Sequence, residues 1–100
     1  MKVIRKTKQE AIIYLDEKIN IANSAELKEI LQSLCTENCQ TITVDFSHTR
    51  IIDSSCLGIL LMFQKRLKEK KGEIIIKNVT SDYIRQMFTL IHLSKVIDVR

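Results

Sequence analysis

The chain has 100 residues, 45% of them hydrophobic and 28% charged, with a formal net charge of +4. That length and balance fit one globular domain over residues 1–100 with a single core, and they exclude a low-complexity or repeat protein. No apolar run approaches the roughly 20 residues that span a bilayer, and "MKVIRKTKQEAIIYL" is interrupted by charges throughout, unlike a signal peptide; the expectation is a cytoplasmic protein that does not insert into membranes.

Taken in chain order, "KVIRKTK" and "EAIIYLD" read as two short strands around a polar turn at Lys8–Gln9. In "NIANSAELKEILQSLC", Asn23 can cap a helix and Glu26 can reach back to it. Leu27, Ile30, Leu31 and Leu34 follow at helical spacing, with an end expected near Cys35–Asn38. "QTITVDF" is short and rich in β-branched residues, so it reads as a strand. "SHTRIID" reads as a loop carrying an apolar pair.

From Ser55, "SCLGILLMFQKRLKEKKG" reads as a helix whose stripe is Leu57, Leu60, Leu61 and Leu67, broadened by Ile59, Met62 and Phe63. Lys70 and Lys71 suit its negative end, and Gly72 suits a left-handed residue after it. "EIIIKNV" reads as a strand covered on both faces. "TSDYIRQMFTLIHL" opens with capping residues and puts Ile84, Met87, Phe88 and Ile91 on one face, and "KVIDV" closes the chain as a last strand. The order β-β-α-β-α-β-α-β implies an α/β domain: a mixed, mostly parallel sheet of about four to five strands with helices packed on it.

The three cysteines, Cys35, Cys39 and Cys56, are an odd number, and without an export signal they argue against a disulfide framework. They form no zinc pattern with His48 or His92, so neither a metal nor a cofactor is expected. Glu69 and Glu73 are interspersed in the basic run "KRLKEKKG", which reads as a solvated helix face. Tyr14, Phe46, Phe63, Tyr83 and Phe88 do not interleave with basic residues, so direct nucleic-acid binding is not expected.

Chemistry concentrates in "RIIDSSCLG", residues 50–58, where a strand-like run meets the most apolar helix. Ser54, between Asp53 and Ser55, can satisfy a free N–H at the helix start. The same position suits phosphate, because helix N-termini favour anions and a phosphoserine adds about two negative charges. Cys56, near a helix start, is a candidate for a depressed pKa and for nucleophilic or redox chemistry. However, no Gly-x-Ser-x-Gly elbow, phosphate loop or His-Glu-x-x-His accompanies it, so a binding protein and not an enzyme is expected.

These residues also carry a resemblance. Asp53, Ser54, Ser55, Cys56, Leu57 and Gly58 are similar to the Asp-Ser-(Ser/Thr)-Gly-Leu-Gly junction of the STAS domain, the anti-sigma-factor antagonist family. Lys71, Gly72 and "EIIIKNV" resemble its glycine turn and apolar strand. Val79, Thr80 and Arg85 resemble the opening of its third helix, and "EKINIANSAEL" resembles its first half more loosely. Cys56 stands where the family usually has glycine, Asn20 where it has aspartate, and Glu17 and His92 where it commonly has glycine. The resemblance implies a single STAS-like domain whose phosphorylation site is Ser54, with Asn20, Asp53, Ser54, Ser55, Cys56, Leu57 and Gly58 meeting the partner. It implies an antagonist that binds an anti-sigma factor/serine kinase when unphosphorylated, is released on phosphorylation, and is restored by a serine phosphatase. ATP and magnesium would belong to the kinase. An alternative use of the same domain is an unphosphorylated subunit of a larger transporter-associated or stress-sensing assembly, with "LGILLMFQ" packed partly on another chain.

Overall fold

β-branched runs make the strands, and their alternation decides which side chains enter the core. The computed structural model, which describes residues 1–100, runs β1 (Lys2–Arg5), β2 (Glu10–Tyr14), β3 (Lys18–Ile19), α1 (Ser24–Thr36), β4 (Thr41–Asp45), β5 (Ile51–Ile52), α2 (Ser54–Glu69), β6 (Glu73–Lys77), α3 (Asp82–Leu90), a 3-10 turn at Leu93–Lys95 and β7 (Asp98–Val99). Five strands form one sheet in the order β1-β2-β4-β6-β7. β1 and β2 are antiparallel, and every other neighbouring pair is parallel. This is the mixed, mostly parallel α/β architecture that the alternating pattern implies.

β3 and β5 were not anticipated. Each has two residues, and they pair in parallel as a separate ribbon, Lys18 with Ile51 and Ile19 with Ile52. The loop expected over "SHTRIID" therefore contains a strand, and the last strand shrinks to Asp98–Val99 because Lys95 belongs to the 3-10 turn.

Ala11, Ile13, Ile42, Val44, Ile74 and Ile76 face the helices and are at most 2% exposed. Leu27, Leu31 and Leu34 of α1, Cys56, Leu60, Phe63 and Leu67 of α2, and Ile84 and Phe88 of α3 close the same core. Phe46 meets Phe88 edge to face, centroids 5.5 Å apart. The buried stripe of α2 is rotated from the expected one: Cys56 joins Leu60, Phe63 and Leu67 on it, while Leu57 is half-buried and Leu61 is exposed. Ile91, expected on the buried face of α3, lies beyond its end and is 45% exposed. Gln64 is buried on α2. Its Oε1 accepts from Ile74 N–H (2.7 Å) and its Nε2 donates to the Val96 carbonyl (2.9 Å), so both ends of the amide are satisfied.

The alternate residues point the other way. Ile75 is only 7% exposed, yet it lies outside the core cluster, as do Ile4, Ile12 and Tyr14. Ile74, Ile75 and Ile76 are all buried, so both faces of β6 are covered as "EIIIKNV" implies, with Ile74 and Ile76 in the cluster shared with the helices and Ile75 outside it.

Helix ends show which local signals prevailed. Asn23 makes no side-chain cap to α1; its Oδ1 accepts from Asn20 N–H and its Nδ2 donates to the Lys18 carbonyl. Glu26 bonds the Met1 amino group instead of closing a capping box. Ser81 does cap α3, its Oγ accepting from Ile84 N–H. Beyond α2 the left-handed residue is Lys71 (φ 64°), and Gly72 N–H donates to the Leu67 carbonyl (2.7 Å). Gly72 is required for space, since a Cβ there would collide with the Gln40 carbonyl oxygen. Gly72→Ala should cost about 1–3 kcal/mol by overpacking, whereas Lys71→Gly, by relieving a left-handed residue, should stabilise by up to about 1 kcal/mol. Urea unfolding of the two variants checks both signs.

Candidate functional site at the β5–α2 junction

Helix α2 starts at Ser54, and its cap is the residue before it. Asp53 has extended backbone, and its Oδ1 accepts from Ser55 N–H (2.9 Å) and from the Ser55 hydroxyl. The Ser55 hydroxyl holds the Asp53 carboxyl below the usual carboxylate range against an opposing desolvation, helped by the N–H groups of Ser55, Cys56 and Ile21. The cap expected of Ser54 is therefore made by Asp53 and Ser55. Ser54 is the first helical residue, exposed, and its hydroxyl takes no part in the cap.

The β3–β5 ribbon brings a second segment to this corner. Asp53 N–H donates to the Ile19 carbonyl (3.1 Å), which sets Asn20 and Ile21 beside Asp53. The Asn20 carbonyl accepts from Asn23 and Ser24 N–H, and Asn20 Oδ1 accepts from Ala22 N–H (2.9 Å). Asn20 itself is exposed. Ile21 is 84% exposed at the tip of this loop. That exposure has one signal in the sequence, a lone isoleucine among the polar and small residues of "NIANS".

One outward face of α2 carries Ser54, Gly58 and Leu61, at i, i+4 and i+7. A Cβ on Gly58 would meet no atom within 4 Å. Glycine inside a helix costs about 1 kcal/mol relative to alanine, so this position sacrifices stability for a bare backbone that the chain's own packing does not use. Leu57 is half-buried at the side of this face.

Cys56 is the exception among the expected contact residues. It is fully buried, and burial followed by the nearby Asp53 charge pushes its thiol up to about 12. The expectation of a surface side chain with a depressed pKa is therefore corrected: the helix turns Cys56 inward, where desolvation outweighs the helix N-terminus. Cys35 and Cys39 are also free and buried, and burial raises both thiols. No three His, Cys, Asp or Glu side chains gather as metal ligands. No helix is long and apolar enough to cross a membrane. Ser54 does not line the grooves beside β1 and β2, along α1 or around α3.

A neighbouring loop pair is held by Asp45, whose Oδ1 accepts from Ser47 N–H (2.8 Å) and whose Oδ2 accepts from the Asn78 amide (2.7 Å). Burial raises its pKa, but the hydrogen bonds from Ser47 and Asn78 outweigh that and hold it low. Asp45 thus ties the loops after β4 and β6 together beneath exposed His48.

Residues 3–98 match the family described as "Mlab, STAS domain". Among solved structures, the chain is similar to the anti-sigma factor antagonist SpoIIAA in its unphosphorylated form, with a TM-score of 0.79 and 19% identity over 99% of this chain and 86% of that one. The Bacillus cell fate determinant SpoIIAA in its phosphorylated form gives 0.79 and 19% over 99% and 89%. An anti-sigma factor antagonist from Mycobacterium paratuberculosis gives 0.79 and 14% over 98% and 85%. No curated protein compared with the chain matches it in sequence.

Asp53→Ala should lower the melting temperature, while Ser54→Ala should stay within about 0.5 kcal/mol of the parent. The depressed folded-state pKa of Asp53 means that its contribution is present above the unfolded carboxylate value and is lost as pH falls through the lowered folded value. Acid unfolding of Asp53→Asn, followed by circular dichroism, should therefore be less steep than that of the parent. The native protein should resist iodoacetamide at Cys56 near neutral pH and react once unfolded in urea, as peptide mass mapping would show.

Proposed function

The chain belongs to the STAS domain family, and from that premise we propose that it is an anti-sigma-factor antagonist in a cytoplasmic partner-switching pathway. Unmodified, it binds an anti-sigma factor that is also a serine kinase; phosphorylation of Ser54 ends the binding, and a serine phosphatase restores it. The observation that carries this reading is an exposed Ser54 hydroxyl left free by the Asp53–Ser55 cap. The docking surface comprises Asn20, Asp53, Ser54, Ser55, Leu57 and Gly58, extended by Ile21 and Leu61, with the Cys56 side chain outside it.

The physics of the switch follows from this placement. A phosphate on Ser54 adds about two negative charges beside the Asp53 carboxylate. The first turn of α2 tolerates them because its N–H groups and dipole favour anions. A partner seated over the bare backbone of Gly58 meets both the added bulk and the added charge. Like-charge contact across an interface costs several kcal/mol, and about 3 kcal/mol already weakens binding more than 100-fold. The chain needs no catalytic group of its own for this, and ATP and magnesium act on the kinase.

A second reading, an unphosphorylated subunit of a larger transporter-associated or stress-sensing assembly, is favoured by Leu90, Ile91 and Val96, which stay 79%, 45% and 54% exposed at the end of α3 and beyond. The "LGILLMFQ" segment lends it less, because Leu60 and Phe63 are spent on the core.

Incubation with ATP, magnesium and the cognate kinase should add one phosphate, read by intact mass, and Ser54→Ala should abolish it with the fold retained. Labelling that persists in Ser54→Ala would reject the assignment. Gly58→Trp should weaken binding to the unmodified kinase while leaving the fold intact. Recovery from cell extract with a soluble ATP-binding kinase favours the first reading, and recovery in a membrane-transport complex the second.

A further inference from the structure

The sheet has a second face that no helix covers. Ile4, Ile12, Thr43 and Ile75 form a row across four strands, in register from β1 to β6. They stand apart from the core cluster; Ile4 is 38% exposed, and Ile12 and Thr43 are partly so. One end of this face carries Glu10, Thr41 and Glu73, and the other carries Lys2, Tyr14, Asp45 and Lys77. Asp45 is committed to Ser47 and Asn78, and Asp98 on β7 to Arg100. Lys2, Glu10, Glu73 and Lys77 enter no ion pair within the chain.

Parallel strands are ordinarily covered on both faces. Here β1 and the parallel strands β2, β4 and β6 leave Ile4, Ile12 and Thr43 partly exposed beside buried Ile75, with acid at one end and base at the other. Such a face is complementary to itself. A two-fold axis lying along the isoleucine row sets two sheets face to face and reverses the strand direction. Isoleucine then meets isoleucine, and Glu73 of each copy lies opposite Lys77 of the other. Glu10 of each copy approaches Tyr14 and Lys2 of the other. Lys6, whose N–H donates to the Glu10 carbonyl, lies beside Glu10, so the Glu73–Lys77 pair carries the charge complementarity.

We propose that this open sheet face is a self-association surface, at which two copies of the chain pack through Ile4 and Ile12, over buried Ile75, and pair Glu73 with Lys77 across a two-fold axis. Its size sets the strength. Strands of four, five, five, five and two residues, about 4.8 Å apart and about 3.3 Å per residue, give a footprint on the order of 330 Å². That is less than half the area per partner of a standard interface, so the dimer is weak, concentration-dependent and salt-sensitive. It lies on the side of the sheet away from α2, so it leaves the Ser54 corner free to dock and to be modified.

Sedimentation velocity from about 10 µM to about 1 mM tests this over the range of a weak interface. The parent chain should shift from monomer to dimer, and added salt should oppose the shift. Lys77→Glu should raise the dimer dissociation constant about tenfold or more, and the double swap Glu73→Lys/Lys77→Glu should bring it back to within about threefold of the parent. Ile12→Lys and the edge-strand Ile4→Lys should give monomers with unchanged far-ultraviolet circular dichroism; two positions are used so that misfolding of one leaves the other decisive. Ser54→Asp should dimerise like the parent, which separates this surface from the proposed switch. A parent chain that stays monomeric throughout would overturn the proposal. So would a dimer indifferent to folded Ile4→Lys or Ile12→Lys, or a double swap no better than Lys77→Glu alone.

Discussion

The arrangement of the junction depends on one carboxylate. Asp53 takes the Ser55 N–H and hydroxyl, and its depressed pKa reports how well that charge is held. Had the Ser54 hydroxyl made the cap, any group attached to it would have removed a bond that starts α2. With Asp53 in that role, the helix start and the free Ser54 hydroxyl fall to adjacent residues. The same residue also donates its N–H to Ile19, so the carboxylate that opens α2 sits on a backbone position that fixes the Asn20–Asn23 loop beside it. Site geometry and helix initiation are thus set together.

The helices and the sheet divide the chemistry between them. All of the core cluster lies on one side of the sheet, including the first turn of α2 through Cys56. That burial holds the α2 start rigidly, because Cys56 cannot leave the core without opening a cavity. The outward residues of the same turn carry no structural duty within the chain: Ser54 is exposed and Gly58 has no side chain to pack. A rigid support beneath an uncommitted surface is the arrangement a docking site needs.

Much of this was legible in residue periodicity. The hairpin, β4, β6 and the three helices follow from alternation or helical spacing over at least five residues, and Asp53, Ser54 and Ser55 stood out because polar residues interrupt two apolar runs. The ribbon of β3 and β5 was not legible, since two residues carry no period and their pairing joins segments more than thirty residues apart. The Asn23–Glu26 box fails because Asn23 turns back to the loop before it, bonding Asn20 and Lys18, while Glu26 takes the distant Met1 amino group. The phase of α2 was misjudged by counting Leu57 and Leu61 into the stripe; Cys56, Leu60, Phe63 and Leu67 obey the same i, i+4, i+7, i+11 rule, and a cysteine is small and apolar enough to serve. Left-handed Lys71 and His92 escaped because glycine is the usual marker of that conformation.

The buried amide of Gln64 has a mechanical implication. It clasps β6 through Ile74 and the approach to β7 through the Val96 carbonyl. Tension on the end of the chain at Arg100 would reach the middle of α2 through this clasp, the short β6–β7 pairing and the core packing of Leu93 and Ile97. Through Gln64 the helix whose first turn bears Ser54 is mechanically joined to the last strand.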